Sequence, residues 1–540
     1  MSNDSHDQTT AQCDNQLATT GADAVIRALE TAGVEHLFGV QGGAIMPVYD
    51  ALYDSEITHV TMAHEQGAAH AADAYNAVSG NTGVCLATSG PGATNLVTGL
   101  ADSHMDSKSV LALTGQAPSG LMGRDAFQEV DTAGMTRPIT KANMVATDPD
   151  TVGEKVSTAF ELTKRGRQGP VLIDLPKDVT NATVNSTASS LETPATCEPP
   201  EQSDSGIVAE AAKLLARADK PLILAGGGVI KADAAAKLRE FATEYRIPVI
   251  TTMPGIGAFP EDHELSMGVA GMYGTSYANM AVTMTDCLLA IGTRFDNRLT
   301  GDVGTFAPDA KVIHADIDPA EFSKNVHTDY PLCGDAGAVL EQLYSTMPHA
   351  PNAAPWIEQC GTWKAEYPMD CEIKKNEPIK PQYVVEQLDA ATPDDTIVTT
   401  GGGQHQMWAS QYWTYTEPYT WVSSHGLGTM GYGLPAAIGA KVAAPDRNVV
   451  CFEGDRSFLM TCQELAVAVR ENLDITVAVL DTSLTGMVRH SGSHYPWVPA
   501  FDKLAEAFGA KGFSVREYDE VVDTIETALA YDGPSVIDFQ

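Results

Sequence analysis

Apolar residues along this chain come in short unbroken runs rather than in alternation. They fall at Gly83–Ala87, Val110–Leu113, Val171–Leu175, Pro221–Leu224, Pro248–Ile250, Cys287–Ile291, Val312–Ile317, Thr396–Val398, Asn448–Phe452 and Ile475–Leu480. Continuous apolarity predicts strands buried on both faces, which means parallel sheets covered by helices. Helical periodicity fills the intervals, and a β-α-β-α rhythm predicts an α/β protein. Two stretches break the rhythm. Residues 183–203 are rich in Thr, Ser, Pro and Glu, and residues 346–379 carry several prolines and charges. Read as linkers, they leave blocks at 21–182, 204–345 and 380–540, each expected to be a doubly wound parallel-sheet domain. Residues 1–20 are polar and are expected to form a disordered tail.

The 540-residue length supports that division, since domains usually run to about 100–200 residues. No run approaches the roughly 18 apolar residues of a membrane span, and the first twenty residues contain no apolar core of a secretory signal. Nine scattered cysteines without a CxxC pair point to reduced thiols in a cytoplasm, not to a disulfide frame or a zinc site. With 70 acidic against 33 basic residues, the net charge is −37. Such a surface repels nucleic acid and anionic membranes. Because the charge is spread along the chain, it reads as a solvated acidic coat of the halophilic kind, whose self-repulsion salt would screen.

Chemistry enters in the last block. The run Asn448–Phe452 ends in Glu453-Gly454-Asp455-Arg456-Ser457. A Gly-Asp at a strand's C-terminal edge lets backbone N–H groups approach a phosphate while the carboxylate takes a divalent ion. An ordinary turn aspartate looks the same, so this motif alone does not decide. Thr482 follows the next run and could add a second oxygen ligand. Two glycine-rich loops lie upstream. Gly401-Gly402-Gly403-Gln404-His405 follows the run at 396–398, and Gly426-Leu427-Gly428-Thr429-Met430-Gly431 follows Thr420–Ser423. The second matches GxGxxG with Glu453 about twenty residues on, a dinucleotide fingerprint, so an NAD site stands as an alternative. Three phosphate-type loops in one block and a metal-type aspartate argue against it. In the first block, His64-Glu65-Gln66-Gly67 follows the run His59–Met62, with Gly42-Gly43 and Thr88-Ser89-Gly90-Pro91-Gly92 nearby.

Together these residues resemble the thiamine-diphosphate (ThDP) enzymes of the acetolactate synthase type. The specific segments are HEQGAAHAADAY at 64–75, TSGPGATNL at 88–96, DAFQE at 125–129, PITKAN at 138–143, GPVLIDLPKDV at 169–179, GAFPEDHELS at 257–266, RFDNRLTG at 294–301, GQHQMWASQ at 403–411 and GLGTMGYGLPAAIGA at 426–440. The resemblance implies decarboxylation of pyruvate and condensation with a second 2-oxo acid, giving 2-acetolactate or 2-aceto-2-hydroxybutyrate for branched-chain amino acid synthesis. It implies that Glu65 bonds the cofactor's aminopyrimidine and that Met430 props its bent conformation. Gln128 and Lys177, with Phe127, would line the substrate approach. ThDP would be held by Gly43, Gly403, Gln404, His405, Gly428, Met430, Gly454, Asp455, Arg456, Ser457 and Met487. Mg²⁺ would be held by Asp455, Thr482 and the Leu484 carbonyl. The middle block resembles an FAD-binding domain, implying flavin contacts from Arg167, Gly226, Gly227, Gly228, Gly274, Thr275, Arg294 and Arg298. A homodimer or tetramer follows, with Glu65 and the Asp455 loop coming from different chains, and a regulatory small subunit is common in such enzymes.

Several positions depart from the family pattern. Arg456 replaces the third residue of Gly-Asp-Gly, Asp481-Thr482 replaces Asn-Asn, and Ser491 replaces a tryptophan that shapes the second-substrate pocket. Asn297 replaces an aspartate, and, with the sequence ending at Gln540, the family's C-terminal arm is expected to be absent. These changes keep open two other readings, a different ThDP-dependent decarboxylase or carboligase and a non-catalytic ThDP-binding paralogue.

Overall fold

The structure, a computed structural model, describes residues 19–184, 202–374, 377–481 and 498–540. It contains three six-stranded sheets, all parallel. The first holds β1 (His36–Gly39), β2 (Thr58–Thr61), β3 (Gly83–Ala87), β4 (Val110–Gln116), β5 (Ala142–Val145) and β6 (Val171–Pro176), in the order β2-β1-β3-β4-β6-β5. The second holds β7 (Pro221–Ala225), β8 (Val249–Thr251), β9 (Ser266–Val269), β10 (Cys287–Ile291), β11 (Lys311–Asp316) and β12 (Tyr330–Cys333), in the order β12-β11-β10-β7-β8-β9. The third holds β13 (Ile397–Thr400), β14 (Trp421–Ser423), β15 (Val449–Gly454), β16 (Ile475–Leu480), β17 (Lys511–Val515) and β18 (Ser535–Phe539), in the order β14-β13-β15-β16-β18-β17.

Every run expected to be a strand is one, within three residues at its ends. Interior strands such as β3, β4, β6, β7, β10 and β16 are buried at every position, which is why their sequences read as apolar runs; β18 is equally buried, but Ser535 and Asp538 interrupt its pattern. The strands that pattern did not reveal are mostly edges. β5 is half-buried throughout, and β17 exposes Lys511 and Ser514. An edge strand has one unpaired side and needs no continuous apolarity.

The sheets are not independent. One apolar core joins the first and third, running from Phe38 and Leu100 to Leu434 and Val477. Its centre is the contact between the helices Glu65–Ser79 and Gly433–Ala443. Both are rich in Ala and Gly, so their backbones meet closely. A Cβ on Gly439 would lie 2.0 Å from the Ala71 carbonyl oxygen.

The stretch 346–379 corrects the sequence reading, because it is not simply a linker. It contains the helix Ala354–Glu366, anchored by buried Trp356, whose indole N–H donates to the Pro221 carbonyl at 3.0 Å. Within that helix only Trp356 and Cys360 are buried, so the apolar stripe is too thin to read. At the other end, Thr20 is ordered. It forms a capping box with Asp23 and opens the helix Gly21–Thr31. The remainder of the expected tail and most of the 183–203 linker lie outside the described residues. Among the described residues, no helix is long and apolar enough to cross a membrane.

Candidate active site

Open α/β sheets bind ligands where the strand order reverses, outside the strands' carboxyl ends. In the first sheet that point lies between β1 and β3. In the third it lies between β13 and β15, and in the second between β7 and β10. The chemistry-bearing loops sit at all three.

At the third sheet's switch point is a cavity of about 420 Å³. Of the residues assigned to ThDP, Gly403, Gln404, His405, Gly428, Met430, Gly454, Asp455, Arg456 and Ser457 all line it. The loops after β13 and β14 touch through their backbones. The Gly402 amide donates to the Thr429 carbonyl at 3.0 Å, and a Cβ on Gly402 would sit 2.3 Å from the Gly428 carbonyl oxygen. Gly428 has φ +70°, a left-handed backbone that favours glycine, with open space where a side chain would be. At these two loops the wall is therefore glycine backbone, while side chains such as Met253, Trp408 and Met430 line the rest.

Burial sets the charge of this cradle. The His405 imidazole is pushed down to about 4 and the Glu453 carboxyl up to about 8. They face each other at 3.4 Å, and burial favours the uncharged form of each. Burial thus works against a negative charge on Glu453 beneath an anionic ligand. Its full burial, packed against Gly401 and Gly433, also removes it as the ribose-binding acid of the NAD alternative. The Asp455 carboxyl is raised by burial and by Asp481, with the Arg456 amide and charge opposing. Thr482, Leu484 and Met487, together with Ser491, lie outside the described residues. Among those described, no three His, Cys, Asp or Glu side chains converge on a metal position.

The first domain holds the loop Ser424–Gly431 in place. Ser424 donates to Asp102 at 2.8 Å, and Tyr432 donates to Asp73 at 2.6 Å. The His425 and Gly426 amides both donate to Asp106 at 2.8 Å. Burial pushes the Asp106 carboxyl up, but hydrogen bonds from His425 and the charge of Arg294 outweigh it and hold it well below the carboxylate range. Sequence reasoning missed these three aspartates. Nothing local marks them, since their partners lie over 300 residues away.

At the first sheet's switch point a second cluster forms around Glu65. This residue opens the helix Glu65–Ser79, is buried, and accepts a hydrogen bond from Asn95 at 2.9 Å. Gly92 packs against its carboxyl, and Thr88 packs against Gly42. Gln128, at φ +57°, meets this loop through Gly90. Lys177 is half-buried just after β6, and Gly43 is exposed with nothing within 4 Å of a Cβ. None of Glu65, Gln128, Lys177 or Gly43 lines the cavity that holds Met430. Within one chain the Glu65 cluster and the Met430 cavity are thus lined by different residues. Glu464, also unpredicted, accepts the Ala63 amide at 3.0 Å beside the Glu65 helix. Its carboxyl is pushed up to about 7 by burial.

The second sheet's switch point opens into a cavity of about 280 Å³ lined by Gly227, Gly228, Arg167 and Arg294. It shares Thr252, Pro254 and Asp296 with the larger cavity, so the two form a continuous slot. Arg298 lines the far end, over the Tyr273 ring at 5.3 Å. Lys231, three residues past the triple glycine and not anticipated, also lines the slot. Its ammonium is pushed down to about 7 by burial. Three residues assigned to flavin do not reach the slot. Gly226 packs against the Gly292 carbonyl and Gly274 against the Val269 carbonyl. The Thr275 hydroxyl caps the helix Ser276–Met284 by accepting the Ala278 amide.

Comparison with known proteins agrees with this geometry. Residues 19–135 match the thiamine pyrophosphate enzyme N-terminal TPP-binding domain, 208–343 the central domain and 401–539 the C-terminal TPP-binding domain. The chain is 45% identical to the acetolactate synthase large subunit of Corynebacterium glutamicum, covering 96% of this chain and 86% of the relative. It is 46% identical to an acetolactate synthase of Mycobacterium bovis, covering 96% and 88%. It is 44% identical to a probable acetolactate synthase large subunit of Methanocaldococcus jannaschii, covering 96% and 91%.

Proposed function

This chain belongs to the thiamine pyrophosphate enzymes, in the branch of the acetolactate synthase large subunits, and from that premise we propose that it condenses pyruvate with a second 2-oxo acid. The cavity lined by residues 402–405, by Gly428 and Met430 and by residues 454–457 carries the reading. It offers glycine backbone and buried polar groups to a diphosphate and Met430 to a ring. Bound ThDP supplies the electron sink that lets a 2-oxo acid lose CO₂.

The chain's own residues then have distinct tasks. Glu65, oriented by Asn95, holds a proton against the cofactor's pyrimidine. Lys177 presents a cation to the substrate carboxylate, and Gln128 positions the donor. Asp455 offers a carboxylate to Mg²⁺, with Thr482 and the Leu484 carbonyl as further ligands. Because Glu65 does not line the Met430 cavity of its own chain, the catalytic unit is a homodimer in which each copy completes the other's site. The central slot fits FAD. Gly227, Gly228 and Arg294 of the central sheet, with Arg167 reaching in from the first domain, line it at a dinucleotide-type switch point, which supports that reading. A small regulatory subunit fits the large-subunit relatives, and the acidic coat fits a cytoplasm of high salt.

The test is pyruvate consumption by the protein purified in high salt with ThDP, Mg²⁺ and FAD, scored as acetoin after acid treatment. Acetoin is the expected product. ThDP raising the melting temperature without acetoin would overturn the acetolactate assignment in favour of another ThDP carboligase or a non-catalytic paralogue.

A further inference from the structure

The loop that carries Gln128 is held at both ends by one buried side chain, Gln116. It runs from Ala117 to Val130, between β4 and the helix Thr132–Thr136. Phe127 on this loop is exposed, and Asp125 and Gln128 stand at φ +55° and +57°. Non-glycine residues in that left-handed region are strained, and the strain persists only where neighbouring contacts over-determine the backbone.

Those contacts converge on Gln116, the last residue of β4. Its Oε1 accepts the Ala117 amide at 2.8 Å, where the loop leaves the strand. Its Nε2 donates to the Val130 carbonyl at 2.9 Å, where the loop returns. The second Nε2 hydrogen goes to the Asp174 carboxyl at 2.7 Å. A carboxamide has two N–H donors and one carbonyl, so every polar group of this side chain is used. Reversed, it would set its oxygen against two acceptors and its N–H groups against an amide N–H, so the network fixes its orientation. Asp174 is fixed in turn, because its other oxygen accepts the Thr114 hydroxyl at 2.7 Å. Both Gln116 and Asp174 are buried, where water does not compete for these bonds.

The same pair reaches the second substrate residue. Asp174 lies on β6, whose Pro176 pairs with Gln116 across the sheet, and Lys177 is the next residue. On the outside, Ser119 donates its amide and hydroxyl to Asp178 at 2.8 and 2.5 Å, and Glu129 accepts the Ala126 amide at 3.1 Å. These bonds are exposed, so exchange with water leaves them little net strength. The buried pair is the firm tie between the Gln128 loop and the strand end that bears Lys177.

Resting on the substrate roles read above for Gln128 and Lys177, we propose that Gln116, braced by Asp174, is a positioning residue for the 2-oxo acid. It closes the loop at 117–130 and registers it against β6, so that Gln128 and Lys177 keep one mutual geometry.

The experiment compares wild type with Gln116→Met, Gln116→Asn, Asp174→Ala and Asp174→Asn, each in high salt with ThDP, Mg²⁺ and FAD. Pyruvate kinetics, ThDP titration by tryptophan fluorescence and amide hydrogen exchange across 117–130 are read on each protein. Gln116→Met keeps the length and loses all three bonds. It should raise KM for pyruvate about tenfold, with kcat and ThDP affinity within about twofold of wild type. Exchange across 117–130 should speed up about tenfold. Gln116→Asn, one carbon shorter, should give a milder form of the same changes in a protein that folds. Asp174→Ala should follow Gln116→Met, whereas Asp174→Asn, which keeps an acceptor for Gln116, should retain the wild-type KM. A lowered melting temperature with wild-type KM in both Gln116 variants would overturn the inference and leave Gln116 a purely structural residue. Unchanged exchange across the loop would overturn it as well. Wild type that turns over no pyruvate would overturn the substrate reading, and this inference with it.

Discussion

The first and third sheets have one topology and two chemistries. Counted from its first strand, each runs 2-1-3-4-6-5, and each places its working loops where the first and third strands diverge. In the first sheet that point presents one buried carboxyl, Glu65, tied to Asn95 and packed against Gly92. In the third it presents glycine backbone, buried His405 and Glu453, and the Asp455–Arg456 pair. The fold fixes where a ligand can sit, while the residues in two short loops decide whether that place offers a buried carboxyl or a glycine-lined cavity.

The largest expected effect breaks the comparison on the proton side alone. Glu65→Gln should lower kcat by about 10²–10⁴-fold, the range for loss of a positioned acid–base group. ThDP affinity should change little, because the diphosphate is held by the other half-site. Steady-state kinetics with a parallel ThDP titration checks this. A Glu65→Gln protein that keeps its rate would remove Glu65 from the chemistry.

The contrast also explains what the sequence could reveal. The third sheet's loops are contiguous glycine-rich segments, and nine residues that the sequence assigned to ThDP line one cavity there. Most interior strands announced themselves through unbroken apolar runs, whereas edges such as β5 and β17 did not, since half-exposed positions carry no such signature. The supports of the site were illegible for a different reason. Asp102 and Asp106 act on a loop over 300 residues away, and only the folded chain brings them together. Thr275 differs from these: a motif match assigned it to the flavin, and the folded chain also gives its hydroxyl a helix end to cap.

The two sheets meet through the helices Glu65–Ser79 and Gly433–Ala443, and the next perturbation acts there. Gly439→Ala would drive a methyl group to 2.0 Å from the Ala71 carbonyl oxygen, a backbone atom that cannot swing aside. We expect a loss of about 3 kcal/mol in urea unfolding. Because one core spans both sheets, the loss should appear as one shifted transition. Separate transitions for the two regions would show that they fold independently.

A smaller effect sharpens the same boundary through pH. Glu464 of the third region accepts the Ala63 amide of the first, and burial raises its carboxyl from 4.5 to about 7. The folded protein therefore keeps a proton that the unfolded chain releases above pH 4.5. The resulting stabilisation is complete below that pH and is lost as pH rises through 7, by at most about 3 kcal/mol. Glu464→Gln mimics the protonated form and keeps an acceptor for Ala63. Its melting temperature should match wild type near pH 5 and exceed it at pH 8. Parallel pH profiles for the two proteins would show that Glu464 does not hold its proton through folding.

The smallest effect distinguishes the central sheet from the other two. There the slot is built by Gly227, Gly228, Arg167 and Arg294, while Thr275 caps a helix on the far side of its loop. The Thr275 hydroxyl accepts the Ala278 amide at 3.1 Å and donates to the Met267 carbonyl at 3.1 Å. Both bonds are internal to the protein and buried, so the residue has a full structural role before any flavin is considered. Removing an N-cap hydroxyl costs about 1 kcal/mol, and Thr275→Ala should lower stability by that amount. Flavin affinity, read from the bound-flavin absorbance, should stay within about twofold of wild type, since no slot contact is lost. If affinity instead fell about tenfold while the stability loss stayed near 1 kcal/mol, the hydroxyl would have to reach the flavin. The loop Gly271–Thr275 would then move on binding, making the central region the one switch point of the three that its ligand reshapes.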